Sequence, residues 1–407
     1  MSRRPTRVKR LALETTQGRA ATLLRESQFV VRYSDIALTR GELALSLTMP
    51  PRPEGYSANV IPPVLAMNLP EGFLLDIVAS RFRKAMDVND DMNLLALTST
   101  PSSGRVWARL DDDEGDTAQE APRPSKPMRL REILASPGTE ALFDQLVERY
   151  ALNTAISGVQ PKVVVPEARA RGRSPVAEKA SIHAPDLIVK AGGEFPGIAE
   201  NEYLCMTMAR AAGLEVPDCW LSEDGTLFVI RRFDLGPEGG YLGFEDMASL
   251  TGRHPRDKYQ AAYADVARAI ADFCAPRHRA DSLERFFRQL VFCCLIRNGD
   301  AHLKNWGVVY SDPVGADDDA RLSPVYDLIC TPIWIPADTL ALGLEGTKAW
   351  PTRQTLERFG KLHCEVGSPR RIIDEVVARS LEFRPESKTG MWRAIRAEIE
   401  RAAATLR

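Results

Sequence analysis

The chain has 407 residues, and this length predicts two or three domains. Hydrophobic residues make up 44% of the chain and charged residues 27%, a balance that excludes a fibrous or wholly disordered protein. The formal net charge of −2 excludes a chain that holds nucleic acid through a strongly basic surface.

Neither a membrane protein nor a disulfide-rich one is indicated. No apolar run approaches the ~20 residues that a membrane-spanning helix needs, and the basic start lacks the apolar stretch of a secretory signal. Seven cysteines, an odd number without a CxxC pair, predict buried reduced thiols and neither a disulfide framework nor a zinc site. We therefore expect a cytoplasmic protein.

The first part of the chain is predicted to form a separate module, residues 1–127. It ends in an acidic and then proline-rich segment at 111–127, which has no apolar residue large enough to anchor a core. Within the module, residues 28–33 and 43–47 have the alternating, β-branched composition of strands, and residues 65–84 have a helical pattern.

The remainder is predicted to form a strand-rich part at 128–235 and a helix-rich part at 236–407. Helices are predicted in both parts, at 130–150, 199–212, 258–274, 282–297, 370–379 and from 390 onward. Strands are predicted at 162–165, 187–190 and 227–232, with a polar loop at 166–185. This order predicts an α+β fold whose ligand lies in the cleft between two lobes.

Three polar residues in the helix-rich part suggest phosphoryl transfer. Asp300 and Asn305 have four residues between them, and in kinases this spacing combines an aspartate that orients the attacking hydroxyl with an asparagine that binds Mg²⁺. Asp327 follows a polar turn and would return beside Asn305 as a second oxygen ligand. The alternatives are an ordinary polar turn for the pair and a strand-end cap for Asp327.

A lysine of the strand-rich part suggests a nucleotide contact. Lys190 shares one face of its predicted strand with Ile188, so its ammonium is half buried and needs an anionic partner. Glu202 lies on the inward face of the following helix, and Glu200 is the competing partner. A strand lysine paired with a helix glutamate is the arrangement of protein kinases. The alternative is an edge-strand lysine with its head group in water.

The segment ISGVQPK at 156–162 precedes these residues. Its Ser-Gly turn can direct backbone N–H groups at phosphates, although Pro161 removes one of them. The alternative is a tight turn that enters a strand. These elements follow the linear order of a kinase. The order is the segment at 156–162, the lysine strand, the glutamate helix, a strand suited to a nucleotide hinge, and then Asp300, Asn305 and Asp327.

Together these motifs resemble the HipA family of bacterial Ser/Thr toxin kinases. The resemblance covers nearly the whole chain and is found in motifs along its length: LALSLTMP at 43–50, NLPEG at 68–72, ISGVQPK at 156–162, IVK at 188–190, ENEYLC at 200–205, LEVPD at 214–218, IRRFD at 230–234, EDM at 245–247, DAHLKN at 300–305 and SPVYD at 323–327. It implies a two-lobed protein-kinase-like fold with a small β-rich N-terminal subdomain and a helical C-terminal lobe.

The resemblance also implies roles for single residues. Asp300 is the catalytic aspartate, supported by Lys190 and Glu202, and Asn305 and Asp327 hold Mg²⁺. Ser157 is an autophosphorylated serine that switches the kinase off, since phosphate adds about −1.5 to −2 charges beside the nucleotide. The residues implied to contact ATP are Val159, Gln160, Pro161, Lys162, Val163, Val164, Lys190, Arg231, Arg232, Phe233, His302, Leu303, Lys304, Asn305, Tyr326 and Asp327.

The implied protein is an ATP- and Mg²⁺-dependent kinase, the toxin of a type II toxin-antitoxin pair. It would phosphorylate a cellular protein such as an aminoacyl-tRNA synthetase, and would meet DNA only through a helix-turn-helix antitoxin of the HipB type. Asp300 is expected to keep an ordinary pKa of about 3.9 and to orient the hydroxyl. The alternatives are a small-molecule phosphotransferase of the aminoglycoside or choline type and a kinase-like co-repressor.

Overall fold

The structure is a computed structural model, and it describes residues 7–82, 86–97, 103–111, 128–135, 162–165, 186–192, 195–236, 240–387 and 389–407. The predicted loop at 166–185 and most of the acidic segment at 111–127 lie outside the described residues. Within the described part, no helix has the length and the apolar character needed to cross a membrane.

A five-stranded antiparallel sheet forms the N-terminal module, in the order β4-β3-β2-β1-β5. Its strands are β1 (Arg10–Thr15), β2 (Gly18–Arg25), β3 (Phe29–Tyr33), β4 (Tyr56–Ala58) and β5 (Val106–Leu110). The predicted strand at 28–33 is confirmed by β3. Strands β1 and β2 were not predicted, because their Ala and Leu residues fit a helix equally well.

Two other predictions in this module are wrong. Residues 43–47 are not a strand: a 3₁₀ turn at Gly41–Leu43 leads into a short bridge between Ser46 and Met49. Leu43, Ala44 and Leu45 are all buried, so the apolar spacing came from a turn packed into the core. The single helix predicted at 65–84 is broken near Pro70, which lacks the N–H that a continuous helix needs. The module's helices are Asp35–Thr39, Pro63–Ala66, Gly72–Phe82 and Asp91–Leu97.

The strand-rich lobe contains a four-stranded antiparallel sheet in the order β6-β7-β9-β8. Its strands are β6 (Lys162–Val165), β7 (Leu187–Ala191), β8 (Cys219–Leu221) and β9 (Leu227–Arg231). One face packs on the helix Leu130–Leu134, and the other packs on the helix Ile198–Ala211. The predicted strands and the helix at 199–212 are confirmed. The helix predicted at 130–150 is confirmed through Leu134, and 136–150 lie outside the described residues.

The C-terminal lobe is mainly helical and shares one large core with the helix Ile198–Ala211. Its helices are Met247–Leu250, Tyr263–Phe273, Pro276–Leu295, Ala316–Asp319, Arg353–His363, Pro369–Glu382 and Gly390–Leu406. A small sheet joins β10 (Gly243–Asp246), β11 (Gly307–Tyr310) and β12 (Arg321–Leu322). The long predicted helices are confirmed with shifted ends. All seven cysteines are free and buried, as predicted.

A buried carboxylate joins the N-terminal module to the C-terminal lobe. Glu245 on β10 accepts hydrogen bonds from the Ser46 hydroxyl at 2.6 Å and the Leu47 N–H at 2.8 Å. The Tyr310 hydroxyl donates a third hydrogen bond at 2.8 Å. Burial raises the pKa of Glu245, and these hydrogen bonds oppose the rise. The module is therefore fixed to the lobe that carries Asp300 and Asn305.

We expect Glu245→Ala to lower the free energy of unfolding by about 2 kcal/mol, because Ser46, Leu47 and Tyr310 lose a buried acceptor. Urea denaturation measures the change. Glu26→Ala is the matched control, since Glu26 is exposed and pairs with exposed Arg32 at 2.8 Å; its effect should stay within about 0.5 kcal/mol. Equal stability of the two variants would contradict the role given to Glu245.

Candidate active site

A buried lysine pairs with two carboxylates at the centre of the strand-rich lobe. Lys190 lies on β7, an inner strand between β6 and β9, and is 4% exposed. Its Nζ is 2.5 Å from Glu202 Oε1 and also contacts Asp327 Oδ1. The predicted pairing of Lys190 with Glu202 is confirmed in preference to Glu200, and the edge-strand alternative is wrong. The contact with Asp327 was not predicted.

Local periodicity explains why Lys190 and Glu202 meet. In β7, Leu187 and Val189 face one cluster of the core, so Lys190 projects from the opposite face toward the helix Ile198–Ala211. Glu202 lies on the buried side of that helix, with Cys205 and Met206. Burial lowers the pKa of Lys190, but the Asp327 and Glu202 carboxylates outweigh it and the pKa is raised overall. Lys190 is therefore a cation.

The segment that carries Asp300 is a tight turn fixed by its own side chains. The helix Pro276–Leu295 ends just before Arg297, which has a positive φ of 56°. Asn298 then accepts a hydrogen bond from the Asp300 N–H at 3.1 Å and donates one to the Asp327 carbonyl at 3.2 Å. Gly299 fits here without displacing its neighbour, since a Cβ would lie 2.0 Å from Asp338 Oδ2 and would force that carboxylate to move. Asn298 thus joins the two segments that carry the catalytic candidates.

Asp300 is half-buried and receives a hydrogen bond from a tyrosine. The Tyr259 hydroxyl donates to Asp300 Oδ1 at 2.6 Å. Burial raises the pKa of Asp300, while the hydrogen bond from Tyr259 and the charge of Lys258 lower it. The expectation of an unperturbed pKa for Asp300 is therefore wrong, because the sequence did not show how far this carboxylate is removed from water.

Asn305 and Asp327 offer oxygen atoms that suit a divalent cation. Asn305 ends the buried 3₁₀ turn Leu303–Asn305, and its Oδ1 accepts no hydrogen bond within the described part of the chain. The Asp327 side chain is 34% exposed, and its backbone has a positive φ of 54°. A non-glycine residue in this conformation stores strain of the kind found at functional sites. Carboxylate and amide oxygens fit Mg²⁺. Asp327 lies five residues beyond β12, so the strand-end cap alternative is wrong.

The residues between Asp300 and Asn305 are buried, and one of them, Lys304, contacts the N-terminal module. Lys304 Nζ is 2.6 Å from Glu71 of that module, and Lys258 Nζ is 3.5 Å from the same carboxylate. Burial, followed by the charge of Lys258, lowers the pKa of His302 to about 3, so this imidazole is neutral. The Tyr326 hydroxyl donates to the Lys304 carbonyl at 2.8 Å, which brings the segment before Asp327 against the turn that contains Leu303.

The predicted hinge begins where β9 ends. The Arg231 N–H donates to the Asp218 carbonyl at 2.8 Å, and the Arg232 N–H donates to the Asp186 carbonyl at 2.9 Å. Within the described part of the chain, no hydrogen bond engages the Phe233 N–H. The Phe233 ring stacks on Tyr326 with centroids 5.3 Å apart. Of the three predicted hinge residues, Phe233 is therefore the one whose backbone N–H makes no hydrogen bond within the described part of the chain.

The predicted phosphate loop lies partly outside the described residues. Ser157, Val159, Gln160 and Pro161 lie outside the described residues. For Lys162, Val163 and Val164 the structure describes the backbone, which pairs in β6 with β7 so that Lys162 lies opposite Lys190. The end of the predicted loop therefore enters the sheet at the level of the buried lysine.

Three polar residues at the site were not predicted from the sequence: Tyr259, Glu71 and Asn298. Asn298 lies two residues before Asp300, and its sequence NGD is a turn signal that could have identified it. Tyr259 and Glu71 are 41 and 233 residues from the partners they contact, Asp300 and Lys304. No local sequence pattern predicts contacts between residues so far apart in the chain.

Two family models match the chain, and curated relatives are similar to it. The HipA-like C-terminal domain matches residues 154–382, and the HipA N-terminal domain matches residues 12–109. Y4dM of Sinorhizobium fredii, whose curated name describes a candidate kinase, is 30% identical over 305 residues, which cover 71% of this chain and 67% of that protein. Y4mE of the same organism, named likewise, is 27% identical and covers 86% of this chain and 88% of its own length.

Among solved structures, the chain resembles HipA from Shewanella oneidensis MR-1, crystallised with HipB and its operator DNA. The TM-score is 0.70 at 15% identity, and the match covers 97% of this chain and 96% of that chain. The predicted α+β, two-lobed fold with a β-rich N-terminal subdomain is confirmed by this likeness.

Proposed function

The chain belongs to the HipA family, and on that premise we propose that it is an ATP- and Mg²⁺-dependent protein serine/threonine kinase. We propose further that it acts in the cytoplasm as the toxin of a type II toxin-antitoxin pair. The observation that supports this most is the buried Lys190, which contacts both Glu202 and Asp327. That combination of a strand lysine, a helix glutamate and a second aspartate is what a kinase needs to hold nucleotide phosphates.

In this proposal each residue has a distinct task. Asp300 accepts a hydrogen bond from the acceptor hydroxyl and orients it for attack, since positioning and charge neutralisation provide most of the catalysis in phosphoryl transfer. Lys190 neutralises phosphate charge, and Glu202 holds Lys190 in place. Asn305 and Asp327 would hold Mg²⁺, which would supply further charge neutralisation at the phosphates when bound.

The remaining ATP contacts are proposed to come from both lobes. Phe233 offers a backbone N–H for the base, and Arg231 and Arg232 shape the hinge around it. His302, Leu303, Lys304 and Tyr326 support the site from the C-terminal lobe, and the segment from Val159 to Val164 covers the phosphates. The domain division at 127 and 235 belongs to the same proposal.

A partner and a protein target complete the proposal. The HipA structure from Shewanella oneidensis contains HipB and operator DNA, and by analogy we propose a HipB-like helix-turn-helix antitoxin for this chain. With a formal net charge of −2, the chain would reach DNA through that partner. An aminoacyl-tRNA synthetase is the proposed class of target.

We expect the purified protein, incubated with ATP and Mg²⁺, to gain a single phosphate at Ser157. The reason is that this serine lies two residues before the segment proposed to cover the phosphates, and its phosphorylation would repel the nucleotide and end activity. Mass spectrometry of proteolytic fragments locates the phosphate and gives its time course.

Ser157→Ala is the matched variant, expected to lose this phosphopeptide and to keep phosphorylating proteins of a cell lysate for longer. A small-molecule phosphotransferase would leave Ser157 unmodified and would transfer phosphate to an aminoglycoside or to choline. A co-repressor module would neither bind ATP·Mg²⁺ in calorimetry nor transfer phosphate. Either result would contradict the proposal.

A further inference from the structure

The Asp300 carboxylate is oriented by a residue that no kinase motif of the sequence contains. Within the described part of the chain, the Tyr259 hydroxyl is the one side-chain group that donates a hydrogen bond to this carboxylate, at 2.6 Å from Oδ1. The neighbouring Asn298 bonds the Asp300 backbone N–H and leaves the carboxylate untouched. The direction of the carboxylate therefore depends on Tyr259.

Three contacts hold Tyr259 and its neighbour Lys258, and two of them are made with the segment that carries Asp300. Its ring packs edge-on against His302, with centroids 5.0 Å apart and planes at 78°. The carbonyl of Lys258 accepts the Leu303 N–H at 3.2 Å, and the carbonyl of Tyr259 accepts Lys348 Nζ at 3.4 Å. Because backbone and ring are both fixed to the segment that carries Asp300, the phenol hydroxyl is held in place before any substrate arrives.

We propose that Tyr259 is a positioning residue of the phosphoryl transfer: its hydroxyl holds Oδ1 of Asp300 and leaves Oδ2 for the hydroxyl of the acceptor protein. This inference rests on the proposed function. An aspartate carboxylate otherwise rotates between equivalent orientations, and a misplacement of about 1 Å at a reacting group can cost about 10²-fold in rate. Tyr259 is 41% exposed, so it also borders the solvent side from which an acceptor would approach.

The same hydrogen bond opposes the protonation of Asp300. Burial raises the pKa of Asp300 and the Tyr259 hydroxyl opposes this rise, as does Lys258, while Asp327 and Asp338 raise the pKa further. The pKa of Tyr259 is raised by its own burial and by Asp300, so the phenol stays protonated and remains a donor. Removing the phenol hydroxyl therefore takes away one of the two groups that favour the ionised carboxylate.

The test is Tyr259→Phe, which deletes the hydroxyl and keeps the ring against His302. We expect kcat for protein phosphorylation to fall at least about tenfold, as for the loss of a hydrogen bond to a charged group, with unchanged ATP·Mg²⁺ affinity in calorimetry. The acidic limb of the kcat profile should move to higher pH, because Asp300 becomes easier to protonate. Tyr56→Phe is the matched control: its hydroxyl bonds the Pro50 carbonyl on the N-terminal sheet, and both quantities should stay unchanged.

An unchanged kcat and acidic limb in Tyr259→Phe would overturn the proposal. A higher kcat would also overturn it, since Tyr259 would then compete with the acceptor for Asp300. A second measurement needs no activity: the ¹³C carboxyl signal of Asp300, assigned with Asp300→Asn, should titrate at higher pH in Tyr259→Phe than in the wild type. Equal titration would refute the inference by itself, whereas an inactive wild type would refute the proposed function.

Discussion

Asp300→Asn is expected to abolish phosphoryl transfer while the protein stays folded and binds ATP. Asparagine has the size of aspartate and still offers Tyr259 an oxygen acceptor, so the packing around the half-buried side chain is preserved. It carries no negative charge and cannot take the proton of the attacking hydroxyl. Loss of such a group costs roughly 10²- to 10⁴-fold in rate. Overexpression should accordingly no longer inhibit growth.

Transfer of ³²P from labelled ATP to lysate proteins and to Ser157 measures this effect, and calorimetry with ATP·Mg²⁺ verifies that the nucleotide still binds. Asp318→Asn is the matched control, because Asp318 is an exposed carboxylate in the short helix Ala316–Asp319 between β11 and β12. The control should transfer phosphate at the wild-type rate. Undiminished transfer by Asp300→Asn would remove Asp300 from the proposed mechanism.

The sequence predicted those parts of the site that follow from local periodicity. Lys190 and Glu202 are twelve residues apart, and the alternation of a strand and the 3.6-residue repeat of a helix are enough to turn both side chains inward. The same reasoning predicted the long helices of the C-terminal lobe, in which an apolar face recurs over many residues. Their ends were less well predicted, because caps and turns decide them.

The predictions that were wrong or missing concern contacts between segments that are distant in the sequence. The residues at 43–47 alternate like a strand, yet no neighbouring strand pairs with them in the described structure, and they form a turn beneath Glu245. Glu71 reaches Lys304 only because the N-terminal module packs on the C-terminal lobe, and Tyr259 reaches Asp300 only because two distant segments of that lobe pack together. Sequence periodicity carries no information about such packing. The burial that raises the pKa of Asp300 also results from tertiary packing, so it could not be predicted either.

Lys190→Met is expected to be the most destabilising single change at the site and to abolish transfer as well. Lys190 and Glu202 are both buried, with side chains 5% and 1% exposed, so the substitution leaves the Glu202 carboxylate buried without its cation. Breaking a buried ion pair from one side costs about 3–5 kcal/mol. The loss of Lys190 costs less free energy at Asp327, since the Asp327 side chain is 34% exposed and water can solvate it. Urea denaturation measures the loss.

The double variant Lys190→Met with Glu202→Leu separates stability from catalysis. Apolar replacement of both partners of a buried pair is often close to neutral, so most of the lost stability should return. Transfer of ³²P should not return, because no cation remains to neutralise the phosphates. Arg32→Met breaks the exposed pair with Glu26 as a control, and should cost less than about 1 kcal/mol. A double variant as unstable as Lys190→Met would show that the two charges are not coupled. One that transfers phosphate at the wild-type rate would show that catalysis does not need Lys190.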